Sequence, residues 1–162
     1  MMDEQTINQM FELIHANMCT LMPTENTKEQ DYKLWRQAFD EGLQNGMKHI
    51  PYHRDSDLKG YISYVVSDAD STVHLCEFQI CPQYQRNSVA FRVLFSRFLR
   101  EIKDCAANAV RTYANDRNPV SQSLIEKLGF EPEEKTRNGK RYVVSKESLI
   151  KCLSRLVESR PV

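Results

Sequence analysis

Two stretches of this chain carry side chains whose types and spacing could do chemistry. The first is Thr72 to Ile80, TVHLCEFQI, a β-favouring run that holds two titratable groups, His74 and Glu77. A histidine has an unperturbed pKa of about 6.5 and accepts a proton readily at neutral pH. In a regular strand His74 alternates with Cys76, Phe78 and Ile80 on one face, and Glu77 has the opposite parity. The second stretch is Gln85-Arg86-Asn87-Ser88-Val89-Ala90, which leads from that strand into an amphipathic segment. A strand-to-helix turn points free backbone N–H groups outward and adds the positive end of a helix dipole, an arrangement that suits phosphate. Arg86 and Arg92 could add point charges. Val89 is a poor host for positive φ, so ordinary backbone angles are expected there.

Other chemistry is excluded by composition. His74, Cys76 and Cys81 have no evident fourth ligand, so no metal is expected. The five cysteines are scattered and form no CxxC pair, which argues against a disulfide framework and suits a reducing, cytoplasmic setting. Lys plus Arg is 22 and Asp plus Glu is 22. Without a basic excess a nucleic-acid partner is not expected. The opening MMDEQTINQMFELIHANM is acidic and then amphipathic, unlike a signal peptide. No apolar run approaches the roughly 18–20 residues of a membrane span, so no membrane association is expected.

The elements that must position these groups follow from periodicity. Ile7, Met10, Phe11, Ile14 and Met18 recur at helical spacing. A second helix starts at Thr27, with Gln30 at capping-box spacing and Asn26 as a rival cap, and ends near Gly46. His49–Arg54, Tyr61–Val66 and Thr72–Ile80 read as an antiparallel meander. Ala90 to Ala106 is helical, Val110–Ala114 is a strand, and Asn118-Pro119 opens a helix with Val120, Leu124 and Leu128 as its expected buried stripe. Asn138-Gly139 reads as a type I′ hairpin turn. A last helix carries Leu149, Leu153 and Leu156, a stripe that reads as core or as the seam of a homodimer. The order defines one mixed α/β domain with a central, mostly antiparallel sheet flanked by helices. It divides into N-terminal helices (1–46), a core (47–144) and a C-terminal helix (145–159).

The block FQICPQYQRNSVAFRVL, followed after a strand by NPVSQSLIEKLGF, resembles the GNAT acetyltransferase family. That family has a strand, a Q/R-x-x-G-x-G/A loop, a helix, a strand and then N-x-x-A-x-x-L-Y-E-K-L-G-F. Asn118, Leu124, Glu126, Lys127, Leu128, Gly129 and Phe130 match the second half, and Gln85 to Ala90 stand at the loop. The resemblance implies the GNAT acyl-CoA N-acyltransferase fold and acetyl-CoA as cosubstrate. It implies transfer of acetyl to a primary amine of a small molecule or peptide. Gln85, Arg86, Asn87, Ser88, Val89 and Ala90 would bind the pyrophosphate, Phe78 and Ile80 the pantetheine arm, and Asn118 would line the cofactor groove while capping its helix. Some relatives place a base six residues before the strand's last apolar residue, which is His74 here; Glu77 is the other candidate on that strand. Two positions depart from the pattern. Ser88 replaces the first loop glycine, and Ile125 stands where many members have a proton-donating tyrosine. Those departures favour a second reading, a CoA-binding sensor without turnover, and a third keeps the fold as a partner-binding module.

Overall fold

A computed structural model describes residues 1–85 and 88–158, with the side chains at 88, 157 and 158 left aside. Arg86 and Asn87 of the loop lie outside the described residues. The chain opens with α1 (Glu4–Met18) and α2 (Lys28–Gln44). Asp3 caps α1 by accepting the Thr6 N–H at 2.7 Å. Thr27 and Gln30 form the expected capping box on α2, with reciprocal bonds of 3.2 and 2.8 Å. Then come β1 (Lys48–Arg54), β2 (Asp57–Ser67) and β3 (Thr72–Ile80). A short 3-10 turn, Pro82–Tyr84, leads toward α3 (Ser88–Ile102). After it follow β4 (Ala109–Asn115), α4 (Pro119–Lys127), β5 (Glu131–Lys135), β6 (Gly139–Ser145) and α5 (Lys146–Glu158).

The strands form one six-stranded sheet in the order β1-β2-β3-β4-β6-β5, antiparallel except between β3 and β4. One face carries the main core, where Ile62, Val73, Val110 and Tyr142 meet Leu94, Phe95 and Phe98 of α3 and Leu149 and Leu153 of α5. Leu149 and Leu153 are fully buried within the chain, so these two belong to its own core. On the other face α1 and α2 cover β1 and β2 through Ile7, Met10, Leu13, Phe39, Leu58 and Tyr61. Among the described residues no helix is long and apolar enough to cross a membrane.

Three local expectations change. First, β3 is not regular. Ser63 pairs with Glu77 and Tyr64 with Leu75, which leaves Cys76 as a bulge without a partner on β2. The extra residue reverses the alternation. Val73 and Leu75 share the main core with Ile80, so His74 does not lie on the face of Phe78 and Ile80; it shares the opposite face with Glu77. Second, the type I′ turn is elsewhere. Positive φ at two consecutive residues occurs at Asp55 (54°) and Ser56 (70°), between paired Arg54 and Asp57. Asn138 and Gly139 lack positive φ, and Gly139 is already a residue of β6 paired with Asn115. Third, Val120 is 79% exposed and Leu156 is 41% exposed, whereas Ile125 and Leu128 make the buried side of α4. Val120 sits in the first turn of α4, before the helix closes on the sheet.

Candidate active site

The ladder between β3 and β4 is short. It joins Thr72, Val73 and His74 to Ala109, Val110 and Arg111 and ends there; beyond it Thr112 Oγ1 donates to the Leu75 carbonyl at 3.0 Å. The strands then diverge and leave a cleft of about 310 Å³ through the sheet. Phe78, Phe95 and Ile125 line it toward α3 and α4, and Ile14, Met18 and Met22 line it toward α1. The bulge at Cys76 contributes to the separation, because a bulge bends and twists its strand away from the neighbour.

The direction of the β3 backbone follows from one bond. Cys81 N–H donates to the Lys59 carbonyl at 2.8 Å, so Cys81 and Gln79 face β2 while Ile80 and Phe78 turn their N–H and C=O groups into the gap. The Ile80 carbonyl accepts there from Asn17 Nδ2 and Gln85 Nε2, each at 3.0 Å. Asn17 also donates to Gln79 Oε1 at 2.9 Å, and Gln85 donates to Asn17 Oδ1 at 3.1 Å. The side chain of Gln85 therefore clasps the start of the loop to the end of α1. Replacing Asn17 by alanine removes three bonds of this clasp and is expected to cost about 1–2 kcal/mol, a fall in Tm of roughly 2–8 °C. Because the two amides share a bond, Asn17→Ala with Gln85→Ala should cost less than the sum of the singles in a thermal-denaturation cycle.

Within the loop, Val89 is in α3 with ordinary φ and is 48% exposed, and Ala90 is 1% exposed and packs in the main core. The small residue at 90 thus serves helix–sheet packing. Asn118 caps α4, as expected, by accepting the Ser121 N–H at 3.1 Å, and it also lines the cleft. Ile125 is 9% exposed and lines the cleft.

The two titratable groups of β3 are placed differently. Glu77 lines the cleft and accepts from Tyr61 Oη at 2.5 Å. Burial raises its pKa above the usual carboxylate value, against the opposing pull of the Tyr61 hydrogen bond. Burial and the facing carboxylate raise the Tyr61 phenol well above its ordinary value, so it stays a donor. His74 is not among the residues that line this cleft. It lies on the open sheet face, 3.3 Å from Asp70, in a neighbouring cleft whose walls include the ion pairs Arg111–Glu133 (3.0 Å) and Arg141–Glu134 (3.3 Å). Among the described residues no group of three or more His, Cys, Asp and Glu comes together as a metal-holding cluster.

Sequence reasoning missed Ile14, Met18 and Met22, which only tertiary packing brings to the cleft, and Tyr61 and Asn17, which hydrogen-bond Glu77 and the Ile80 carbonyl. It also missed a polar row across the sheet, in which His49 pairs with Ser63 and Ser63 with Glu77. His49 stacks on Phe39 at 4.6 Å and hydrogen-bonds Ser63 Oγ at 2.6 Å; burial pushes its pKa down to about 4, so it is neutral at physiological pH.

This fold and this gap define an acetyltransferase class, and the comparisons agree. Residues 15–144 match the family described as Acetyltransferase (GNAT) domain, and the chain belongs to that GNAT acetyltransferase family. It is similar in structure to the PaiA N-acetyltransferase of Thermoplasma acidophilum in complex with coenzyme A (TM-score 0.69, 15% identity, 89% of this chain and 95% of that one). It is also similar to an acetyltransferase of the GNAT family from Staphylococcus aureus Mu50 (0.71, 11%, 90% and 96%). A third is an acetyltransferase from Streptococcus agalactiae 2603 (0.70, 16%, 90% and 94%). At these identities the likeness is one of fold. No curated protein sequence matches the chain.

Proposed function

We propose that this chain transfers an acetyl group from acetyl-CoA to a primary amine, with Glu77 as the base. The observation that carries the reading is a single half-buried carboxyl in the lining of a cleft opened by the splay of β3 from β4. The residues present fit the cosubstrate through the main-chain groups of Phe78 and the N–H of Ile80, which turn into the gap, while the Ile80 carbonyl is held by Asn17 and Gln85. The coenzyme A bound to the PaiA relative supports the same use of the fold. Acetyl-CoA supplies an activated thioester when bound. Phe78 and Ile80 would hold its pantetheine arm. The segment Gln85 to Ala90 and the N-terminus of α3 would hold its pyrophosphate. Glu77 would take a proton from the amine nitrogen, oriented by Tyr61. Its raised pKa makes it a better base than an exposed carboxylate.

No side chain at position 125 can protonate the departing sulfur, but a thiol with a pKa of roughly 8.5 is a tolerable leaving group unaided. The second reading, a CoA sensor without turnover, rests on that isoleucine in the cleft wall. We place the protein in the cytoplasm, on its unpaired cysteines and on where acetyl-CoA is used. We divide the chain into N-terminal helices 1–46, core 47–144 and C-terminal helix 145–159.

Acetyl-CoA at a hundredfold excess over its Kd should stabilise the fold by about 2.7 kcal/mol, a Tm rise of roughly 5–11 °C by differential scanning fluorimetry. Amine-dependent release of free CoA thiol then separates the enzyme from the sensor. An absent Tm shift at millimolar acetyl-CoA would remove both.

A further inference from the structure

The described lining of the cleft is nearly free of charge. On its α1 side Ile14, Met18 and Met22 supply the surface, with Gln79 and Tyr113 beside them. Glu77 is the one acidic side chain among its described lining residues, and that lining holds no lysine, arginine or histidine. The Gln79 amide oxygen is already engaged by Asn17. The charges of the neighbouring cleft are paired with one another: Asp70 with His74, Arg111 with Glu133, Arg141 with Glu134. A second charge on the acceptor therefore has two options. It lies unpaired against methionines, which is costly because an ion loses its hydration there without gaining a partner. Or it reaches past the cleft into water, where the groups of the neighbouring cleft are already paired and offer it no partner.

On the reading that this chain is an acetyltransferase, we infer that its acceptor is a monoamine borne on an uncharged apolar arm. The amine sits at Glu77 and the arm lies against Ile14, Met18 and Met22. The amine nitrogen bonds to the acetyl carbon as the carbon–sulfur bond breaks. The proton lost from nitrogen passes to Glu77 and ends on the thiolate, so that amine and acetyl-CoA give the N-acetyl amine and CoA thiol. Two methionines in the wall make it adaptable, because an unbranched thioether side chain refills space around arms of different shape. Acceptors with straight and branched arms of similar volume should therefore react at similar rates. Polyamines, amino acids and amino sugars with several ammonium groups fall outside the class.

The test is a set of matched amines with the wild-type protein. Along ethylamine, butylamine and hexylamine, kcat/KM should climb by about fourfold per buried methylene, the equivalent of about 0.8 kcal/mol each, until the cleft is filled. Hexylamine should exceed both 1,6-diaminohexane and 6-aminohexanoate by about a hundredfold or more. Met18→Glu adds a carboxylate to the apolar wall and should narrow or invert the preference for hexylamine over the diamine. Met22→Glu provides the same change outside α1 if the first variant does not fold, with acetyl-CoA thermal shift reporting the integrity of each. If wild type uses the diamine or the amino acid as well as hexylamine, or if neither variant moves the ratio, the acceptor class is wrong and the transferase reading stands. If no amine in the set is acetylated while acetyl-CoA binds, the transferase reading falls and the acceptor class with it.

Discussion

Glu77→Gln is expected to lower kcat by about 100- to 10,000-fold while leaving acetyl-CoA affinity nearly unchanged. The amide keeps the shape and can still accept from Tyr61, but it cannot take a proton. The pH profile gives the sharper reading. Wild-type kcat should rise with pH through a pKa above the ordinary glutamate value, because burial raises that of Glu77, and the glutamine variant should lack this step. Stability should move the other way. With its folded-state pKa raised, Glu77 holds its proton more tightly in the native chain than in the unfolded one. Its contribution is therefore favourable below the unfolded pKa and is lost as pH rises through the folded value. Above the unfolded pKa this turns into a net cost, already including the Tyr61 bond that opposes the shift. Glu77→Gln should thus raise the Tm at pH 7 and leave it nearly unchanged near pH 3, a gain in stability with a loss of activity. His74→Ala, at the exposed Asp70 pair, should change kcat by only a few-fold. A hundredfold loss in His74→Ala with full activity in Glu77→Gln would exchange the two roles.

Gly139→Ala is expected to cost about 3 kcal/mol or more, a Tm fall of roughly 6–12 °C. A Cβ at this position would overlap the Ala114 carbonyl oxygen and meet Tyr113 Cζ at 2.7 Å, and β4 and β6 cannot separate there without loss of their ladder. The glycine is required by close approach of backbone and ring, since its φ is not in the left-handed region. The same packing holds the Tyr113 ring at the cleft, so any folded fraction of this variant should also show a weakened KM for the amine. Asn138→Ala separates this account from a type I′ turn. It should be nearly neutral, because Asn138 has no positive φ to support. A neutral Gly139→Ala together with a costly Asn138→Ala would restore the turn as the reason for the pair.

The elements were legible because local chemistry specifies them. Thr27 and Gln30 make a cap from side chains three residues apart. Asn118-Pro119 and Gly129 bound α4, the glycine with φ of 90°. The alternation of Thr72 to Ile80 marks a strand of those bounds. The loop-and-helix block that resembles the family is likewise a contiguous text, and it lies within the matched residues 15–144.

What contiguity could not supply is register and distance. A single unpaired residue, Cys76, turns His74 away from the face of Phe78 and Ile80 and aligns it with Glu77, and nothing in TVHLCEFQI marks the bulge. Asn138-Gly139 carries the composition of a turn, yet the demand on the glycine comes from Ala114 and Tyr113, on another strand. Tyr61 meets Glu77 only after β2 pairs with β3, and Asn17 meets Gln85 across 68 positions of sequence. Side chains within about four residues of one another interact through backbone geometry alone, so sequence by itself determined the helices, the caps, the strands and the family. The carboxyl that faces the cleft, the apolar wall opposite it and the clasp at its edge depend on which strands pair, in what register, and where the pairing stops. Those were decided only when burial of the two sheet faces selected one arrangement of the whole chain.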